Sequence, residues 1–111
     1  MSVDTTVLER TIIIDKLNAI YELCRKYNVQ RLDLFGSALR DDFEPERSDL
    51  DFLVEYKAMP PEGHADTFFG LWFGLQDLFG REVDLVERKT VKNPYIGQSI
   101  HATRVNVYDA T

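Results

Sequence analysis

Apolar and polar residues alternate along this chain with two periods, one typical of helices and the other typical of strands. The helical period predicts a first helix over residues 7–27. Its apolar face is formed by Ile13, Leu17, Ile20, Cys24 and Tyr27. Asn28 follows and is suited to a left-handed cap, which favours a helix end at this point.

Two predicted strands flank a polar stretch that begins with glycine. The strands cover residues 29–35 and 49–56, where apolar side chains recur at every second position. In the second strand, a period of two places Asp49 and Asp51 together on one face and apolar residues on the other. The stretch between the strands is predicted to hold a short helical turn at 37–42 and a polar loop at 43–48.

A second helix and three shorter elements complete the prediction. The helix covers residues 64–79 and follows a Pro- and Gly-containing loop. Inside it, Gly70 and Gly74 each cost stability relative to alanine, which indicates close packing against a neighbouring element. The remaining elements are a strand at 82–87, a short helix at 93–103 and an edge strand at 105–108.

This order of elements predicts an α/β (α+β) fold, with a small mixed β-sheet flanked by helices. A chain of 111 residues has room for one core, so we expect a single domain over 1–111. A hydrophobic share of 44% is sufficient for that core. Cys24 is the only cysteine, which excludes an internal disulfide, and its place on the apolar helix face predicts a buried side chain.

The charge balance limits the classes of partner. The formal net charge is −6, with 19 acidic and 13 basic residues, and this disfavours nucleic acid as the main partner. Residues 1–10 are polar and charged, unlike a signal peptide, and no apolar run approaches the roughly 20 residues that a membrane span needs. We therefore expect a cytoplasmic protein without membrane contact. The oligomeric state stays open between homo- and hetero-oligomers.

Candidate chemistry is concentrated around the polar stretch at 36–49. Gly36 lacks a Cβ, so its backbone can approach a bulky anion, and Ser37 offers a hydroxyl and a backbone N–H. A helix N-terminus after this pair would favour phosphate further. Asp49 and Asp51 are poor neighbours unless a cation lies between them, and Mg²⁺ takes carboxylate and phosphate oxygens.

Asp84 adds a third carboxylate in the apolar strand at 82–87. We predict that it completes a triad with Asp49 and Asp51, either by binding a second metal or by taking the proton from an attacking hydroxyl. Two metal ions can stabilise the entering and leaving oxygens of an in-line displacement. Considered alone, Asp84 could equally be an exposed strand residue.

The combined pattern resembles the nucleotidyltransferase superfamily that includes DNA polymerase beta. The residues that carry the resemblance are Gly36, Ser37, Arg40, Ser48, Asp49, Asp51 and Asp84. Within the superfamily, the chain is similar to the minimal nucleotidyltransferases, which are the antitoxin partners of HEPN toxins in the type VII toxin–antitoxin class. Two departures lie in the loop at 40–48: it is about one residue longer than usual, and Asp41 stands where many members have glycine.

The resemblance implies a nucleoside triphosphate, usually ATP, as substrate and Mg²⁺ as cofactor. It implies a tyrosine hydroxyl of a cognate HEPN ribonuclease as acceptor, with AMP transfer silencing the toxin. The nucleotide would be bound by Gly36, Ser37, Arg40 and Ser48. Catalysis and metal binding would fall to Asp49, Asp51 and Asp84.

Two other functions stay open at this stage. The chain could be a non-catalytic antitoxin that neutralises the toxin by binding and occlusion, or it could transfer a nucleotide to RNA or to a small molecule. Phe69 and Phe73 lie off the centre of the apolar stripe of the 64–79 helix. They could form a surface for a second copy or for the toxin.

Overall fold

Four strands and two helices make up the regular structure in the part of the chain that is described, apart from one short 3₁₀ turn, Ile14–Lys16. The structure is a computed structural model and describes residues 13–35, 50–88 and 104–110. The helices are α1 (Leu17–Lys26) and α2 (His64–Phe79). The strands are β1 (Val29–Phe35), β2 (Leu50–Tyr56), β3 (Val83–Glu87) and β4 (Val105–Asp109).

The predicted strand at 29–35 and the predicted helix at 64–79 are confirmed with the same bounds. The strand predicted at 82–87 begins one residue later, and the edge strand predicted at 105–108 extends one residue further. Several other predictions lie outside the described residues. They concern residues 7–12 of the first helix, the turn at 37–42, the loop at 43–48, Asp49 as the first residue of β2, and the helix at 93–103.

The first helix differs from the prediction at both ends of its described part, since residues 14–16 form a 3₁₀ turn and the α-helix begins at Leu17. The helix ends at Lys26, and Tyr27 caps it by donating its backbone N–H to the Leu23 carbonyl at 3.0 Å. Asn28 then takes the left-handed conformation with φ of 62°, as expected for this cap. The chain can therefore reverse direction and enter β1 at the next residue.

The strands form one mixed sheet in the order β3-β2-β1-β4. β1 is antiparallel to both of its neighbours, β2 and β4. β2 and β3 are parallel, because the crossover through α2 brings the chain back to the same end of the sheet. The sheet confirms the predicted mixed α/β architecture.

The hydrophobic core lies between one face of the sheet and the two helices. In β2, Leu50, Phe52 and Val54 are fully buried on this face, as the period of two predicted. The helices contribute Ile20, Cys24, Leu71 and Leu75 to the same cluster. Burial raises the pKa of the Cys24 thiol to about 12, so this cysteine is an inert core residue. Neither described helix is long and apolar enough to cross a membrane.

The two helices approach each other closely where α2 carries its glycines, as predicted. A Cβ on Gly70 would overlap the ring of Tyr27 in the segment that follows α1. A Cβ on Gly74 would lie 2.8 Å from Cδ2 of Leu23. The missing side chains thus let α2 pack closely against Leu23 of α1 and against the Tyr27 ring.

Helix α2 is also fastened to the outer strand of the sheet. Trp72 donates its indole N–H to the Val83 carbonyl at 2.6 Å, and the Gln76 side-chain oxygen accepts the Val83 backbone N–H at 3.4 Å. At the other end of β3, His64 Nε2 lies 2.9 Å from a carboxylate oxygen of Glu87. The hydrogen-bonding groups of Val83 that point away from β2 are therefore occupied by side chains of α2, which protects this part of the edge.

We expect Gly70→Ala to lower the free energy of unfolding by about 1–3 kcal/mol, because the aromatic ring of Tyr27 is too bulky to yield easily. Gly74→Ala should change it by less than about 1 kcal/mol, since the end of Leu23 can rotate away and alanine favours the helix. Urea denaturation of both variants measures the difference. Equal effects of the two substitutions would contradict this account of the helix contact.

Candidate active site

The structure brings together two of the three carboxylates predicted from the sequence. Asp51 of β2 and Asp84 of β3 occupy the same register position on adjacent parallel strands. Strands paired in this way lie about 4.8 Å apart, and partners in register project to the same face. Both side chains therefore belong to the face of the sheet that is turned away from the core cluster.

Alternation along the strands explains this placement. Phe52 lies next to Asp51 and Val83 lies next to Asp84, and both apolar residues are buried in the core. Because neighbouring residues of a strand point to opposite faces, burying them turns the two carboxylates outward. Asp51 is half-buried and Asp84 is exposed, so the pair is accessible from the outer edge of the sheet.

The end of β1 lies beside the same pair. Phe35, the last residue of β1, is the strand partner of Asp51. The chain continues from Phe35 into the predicted phosphate-binding segment and returns at Leu50, next to Asp51. The predicted site residues of that segment, Gly36, Ser37, Arg40, Ser48 and Asp49, lie outside the described residues.

Asp51 and Asp84 fit a divalent cation in charge and in donor type. Two carboxylates at paired positions repel each other, and a cation between them relieves the repulsion. Carboxylate oxygens are the hard donors that Mg²⁺ prefers. The described residues contain no group of three His, Cys, Asp or Glu side chains able to hold a metal, and the predicted ligand Asp49 lies outside them.

A further carboxylate on the same face was not anticipated. Asp33 is 1% exposed, whereas its alternation with Leu32 and Leu34 indicated a polar strand face. Arg31 Nε lies 3.0 and 3.1 Å from its two oxygens, and Asn106 donates to it at 3.0 Å. Arg104 adds an ion pair at 3.5 Å.

This network explains how Asp33 can be charged and buried at once. Its hydrogen-bonding capacity is met by side chains from β1 and from the segment that contains β4. Arg104 and Asn106 alternate with valines near the end of the sequence, and this was the available signal for a partner of Asp33. Asp33 thus joins β4 to β1.

Comparisons with known proteins place the chain in a family. The family model described as the nucleotidyltransferase domain matches residues 18–106. The chain belongs to this family. It is a nucleotidyltransferase enzyme, and the resemblance inferred from the sequence motifs is confirmed.

One curated relative is similar to this chain over most of its length. A curated protein of Methanocaldococcus jannaschii, MJ0128, is 41% identical over 85 residues, which cover 77% of this chain and 83% of the relative. Its name, given as a provisional assignment, is protein adenylyltransferase.

Solved structures share the fold. A structure described as a tri-AMPylated Shewanella oneidensis HEPN toxin in complex with an MNT antitoxin matches with a TM-score of 0.61 and 20% identity, over 87% of this chain and 72% of that one. A structure provisionally described as a minimal nucleotidyltransferase matches with a TM-score of 0.59 and 26% identity, over 83% of this chain and 89% of that one. The predicted minimal nucleotidyltransferase fold is thereby confirmed.

We expect Asp33→Asn to lower the free energy of unfolding by about 3 kcal/mol, because Arg31 and Arg104 would lose a buried counter-charge. Glu55→Gln is the matched control: it breaks the Arg88–Glu55 ion pair, in which both side chains are about 45% exposed. An exposed pair contributes at most about 1 kcal/mol. Guanidinium denaturation of the two variants compares them, and an Asp33→Asn variant as stable as the control would overturn the structural role of the network.

Proposed function

We propose that this chain transfers AMP from ATP to a tyrosine hydroxyl of a cognate HEPN ribonuclease and so neutralises that toxin. The observation that carries the proposal is the pairing of Asp51 with Asp84 in register on adjacent strands. Support comes from the adenylyltransferase name of the M. jannaschii relative and from the AMPylated toxin bound to a structurally similar antitoxin. We place the reaction in the cytoplasm, where ATP is abundant.

In this proposal the nucleotide is held by the segment that follows β1. Gly36 and Ser37 contact its phosphates, and Arg40 and Ser48 complete the nucleotide-binding set. Asp49 and Asp51 would hold Mg²⁺, with Asp84 close enough to contribute an oxygen. When bound, Mg²⁺ would supply positive charge between these carboxylates and the phosphates of ATP.

The chemical step is an in-line displacement at the α-phosphorus of ATP. The acceptor oxygen forms a bond to this phosphorus, and the bond from the phosphorus to the bridging oxygen breaks, so pyrophosphate leaves. Asp84 takes the proton of the acceptor hydroxyl as general base. Its exposure on the outer strand supports this role, because a protein acceptor can reach it from outside the sheet.

A tyrosine hydroxyl is a chemically suitable acceptor for this site. A phenol has an ordinary pKa of about 10 and loses its proton far more readily than an aliphatic hydroxyl. A carboxylate base therefore removes the proton of a tyrosine hydroxyl more easily than that of a serine hydroxyl. Nucleic acid is a poorer acceptor for this site, since Asp84 and Glu82 present exposed negative charge beside it.

We expect Asp51→Asn, which removes a proposed metal ligand, and Asp84→Asn, which removes the proposed general base, each to lower the rate of AMP transfer at least about 100-fold. Intact-mass spectrometry of the HEPN protein after incubation with ATP and Mg²⁺ measures the added AMP units. Thermal melting of both variants separates a loss of activity from a loss of folding. Glu55→Gln, a change on the same strand as Asp51, should keep full activity.

Removal of the metal provides an independent check. EDTA should stop transfer by the unchanged protein, and excess Mg²⁺ should restore it. A HEPN protein that gains no mass under saturating ATP and Mg²⁺ would refute the proposal. So would full activity in the Asp51→Asn, Asp84→Asn double variant.

Neutralisation by binding alone is the competing function, and the exposed Phe69 and Phe73 favour it because such side chains are typical of protein interfaces. The double variant of Asp51 and Asp84 separates the two functions. If it still binds the toxin and still protects cells, occlusion is sufficient. If it binds without protecting, AMP transfer is required.

A further inference from the structure

The outer side of α2 carries a cluster of aromatic residues beside the edge of the sheet. We call it the aromatic surface, and its members are Phe68, Phe69, Trp72 and Phe73. Phe69 is 48% exposed and Phe73 is 57% exposed, although large apolar side chains are usually buried. Contiguous exposed apolar side chains of this kind mark interaction sites.

The rings of the aromatic surface hold one another in place. The centroid of Phe69 lies 5.6 Å from that of Phe68 and 6.3 Å from that of Phe73. Trp72 and Phe73 are 5.0 Å apart, and Trp72 is held in addition by its hydrogen bond to Val83. A surface that is already ordered loses little conformational entropy when a partner binds.

The aromatic surface lies next to β3, the edge strand that carries Asp84. A hollow of about 230 Å³ lies between it and β3, lined by Phe68, Phe69, Trp72, Val83, Asp84 and Leu85. Asp84 therefore belongs both to this hollow and to the pair with Asp51. A partner seated on the aromatic surface would be held within reach of the proposed general base.

The charge around the aromatic surface selects the kind of partner. Residues 62–87 contain six acidic residues and one arginine, so this segment accounts for most of the formal charge of −6. Helix α2 has no lysine or arginine, and its Asp66 and Asp77 are exposed, as are Glu82 and Asp84 on the neighbouring segment. A second copy docked through the same surface would bring acidic rims together, which costs energy.

We propose that the aromatic surface, together with the hollow beside Asp84, is the docking site for the acceptor protein. The matching face of that protein carries an apolar centre, a rim of lysine or arginine, and the acceptor hydroxyl near this rim. The inference rests on the proposed function, since it assigns the surface that delivers the acceptor to the site. The outward N–H and C=O of Val83 are already bonded to α2, so they are not available to the docked protein.

The test uses the full chain and a HEPN-family protein as the acceptor. Phe69→Ala with Phe73→Ala should raise both the KM for the HEPN protein and its Kd at least tenfold, with kcat and the KM for ATP changed less than twofold. Asp66→Asn with Asp77→Asn should weaken binding at low salt and reduce its salt dependence. Glu22→Gln, at an exposed acidic position on α1, is the charge-removal control and should leave the KM for the HEPN protein and its Kd unchanged.

Each outcome has a defined meaning. Phe73→Ala alone repeats the test with the more exposed ring if the double variant unfolds, and thermal melting identifies that case. An unchanged Kd and KM in folded variants would overturn the docking site while leaving AMP transfer intact. A tenfold loss of binding in the absence of any AMP transfer would support the docking site and refute the enzymatic proposal. Sedimentation could instead show that the substitutions dissociate a homodimer while the Kd for the HEPN protein stays the same. That result would also overturn the docking site.

Discussion

The parallel pairing of β2 with β3 is the constraint on which the site depends. Parallel neighbours cannot be joined by a tight turn, so the chain crosses over through α2 before it returns to the sheet. Burial of Leu71 and Leu75 holds this helix against the core. A shift of β3 by one residue would then expose its buried side and bury its polar side. Asp51 and Asp84 are neighbours because apolar packing on the opposite face fixes the register of their strands.

Carboxylates on one sheet face have different environments in this molecule. Asp33 is buried and neutralised by two arginines and an asparagine amide, so its charge is used to join strands. Asp51 and Asp84 lie at paired positions of β2 and β3, where Asp51 is half-buried and Asp84 is exposed. One face of the sheet therefore holds a buried carboxylate that joins strands and two more accessible carboxylates nearer its outer edge.

Much of the fold could be predicted because its signals are local. Alternation within residues 29–35 and the helical period within 64–79 each depend on neighbouring positions only. The burial of Asp33 could not be predicted in this way, because its partner Asn106 is 73 residues distant in the chain. Gly70 indicated close packing, but the identity of Tyr27 as the obstacle depends on how the helices cross. For the candidate site, the strand periods and the motif resemblance predicted that Asp51 and Asp84 lie near each other, and β2 and β3 pair these two positions in register.

The hydrogen bond from Trp72 to Val83 has a consequence for how this surface can change over evolutionary time. Because the indole N–H is committed to the backbone of β3, the largest ring of the aromatic surface cannot turn to follow a new partner. Phe69 and Phe73 have no polar group that could form such a hydrogen bond, and both side chains are about half exposed. Substitutions that adapt this surface to a changing partner protein should therefore accumulate at these two positions, whereas the bond to the sheet favours retention of Trp72.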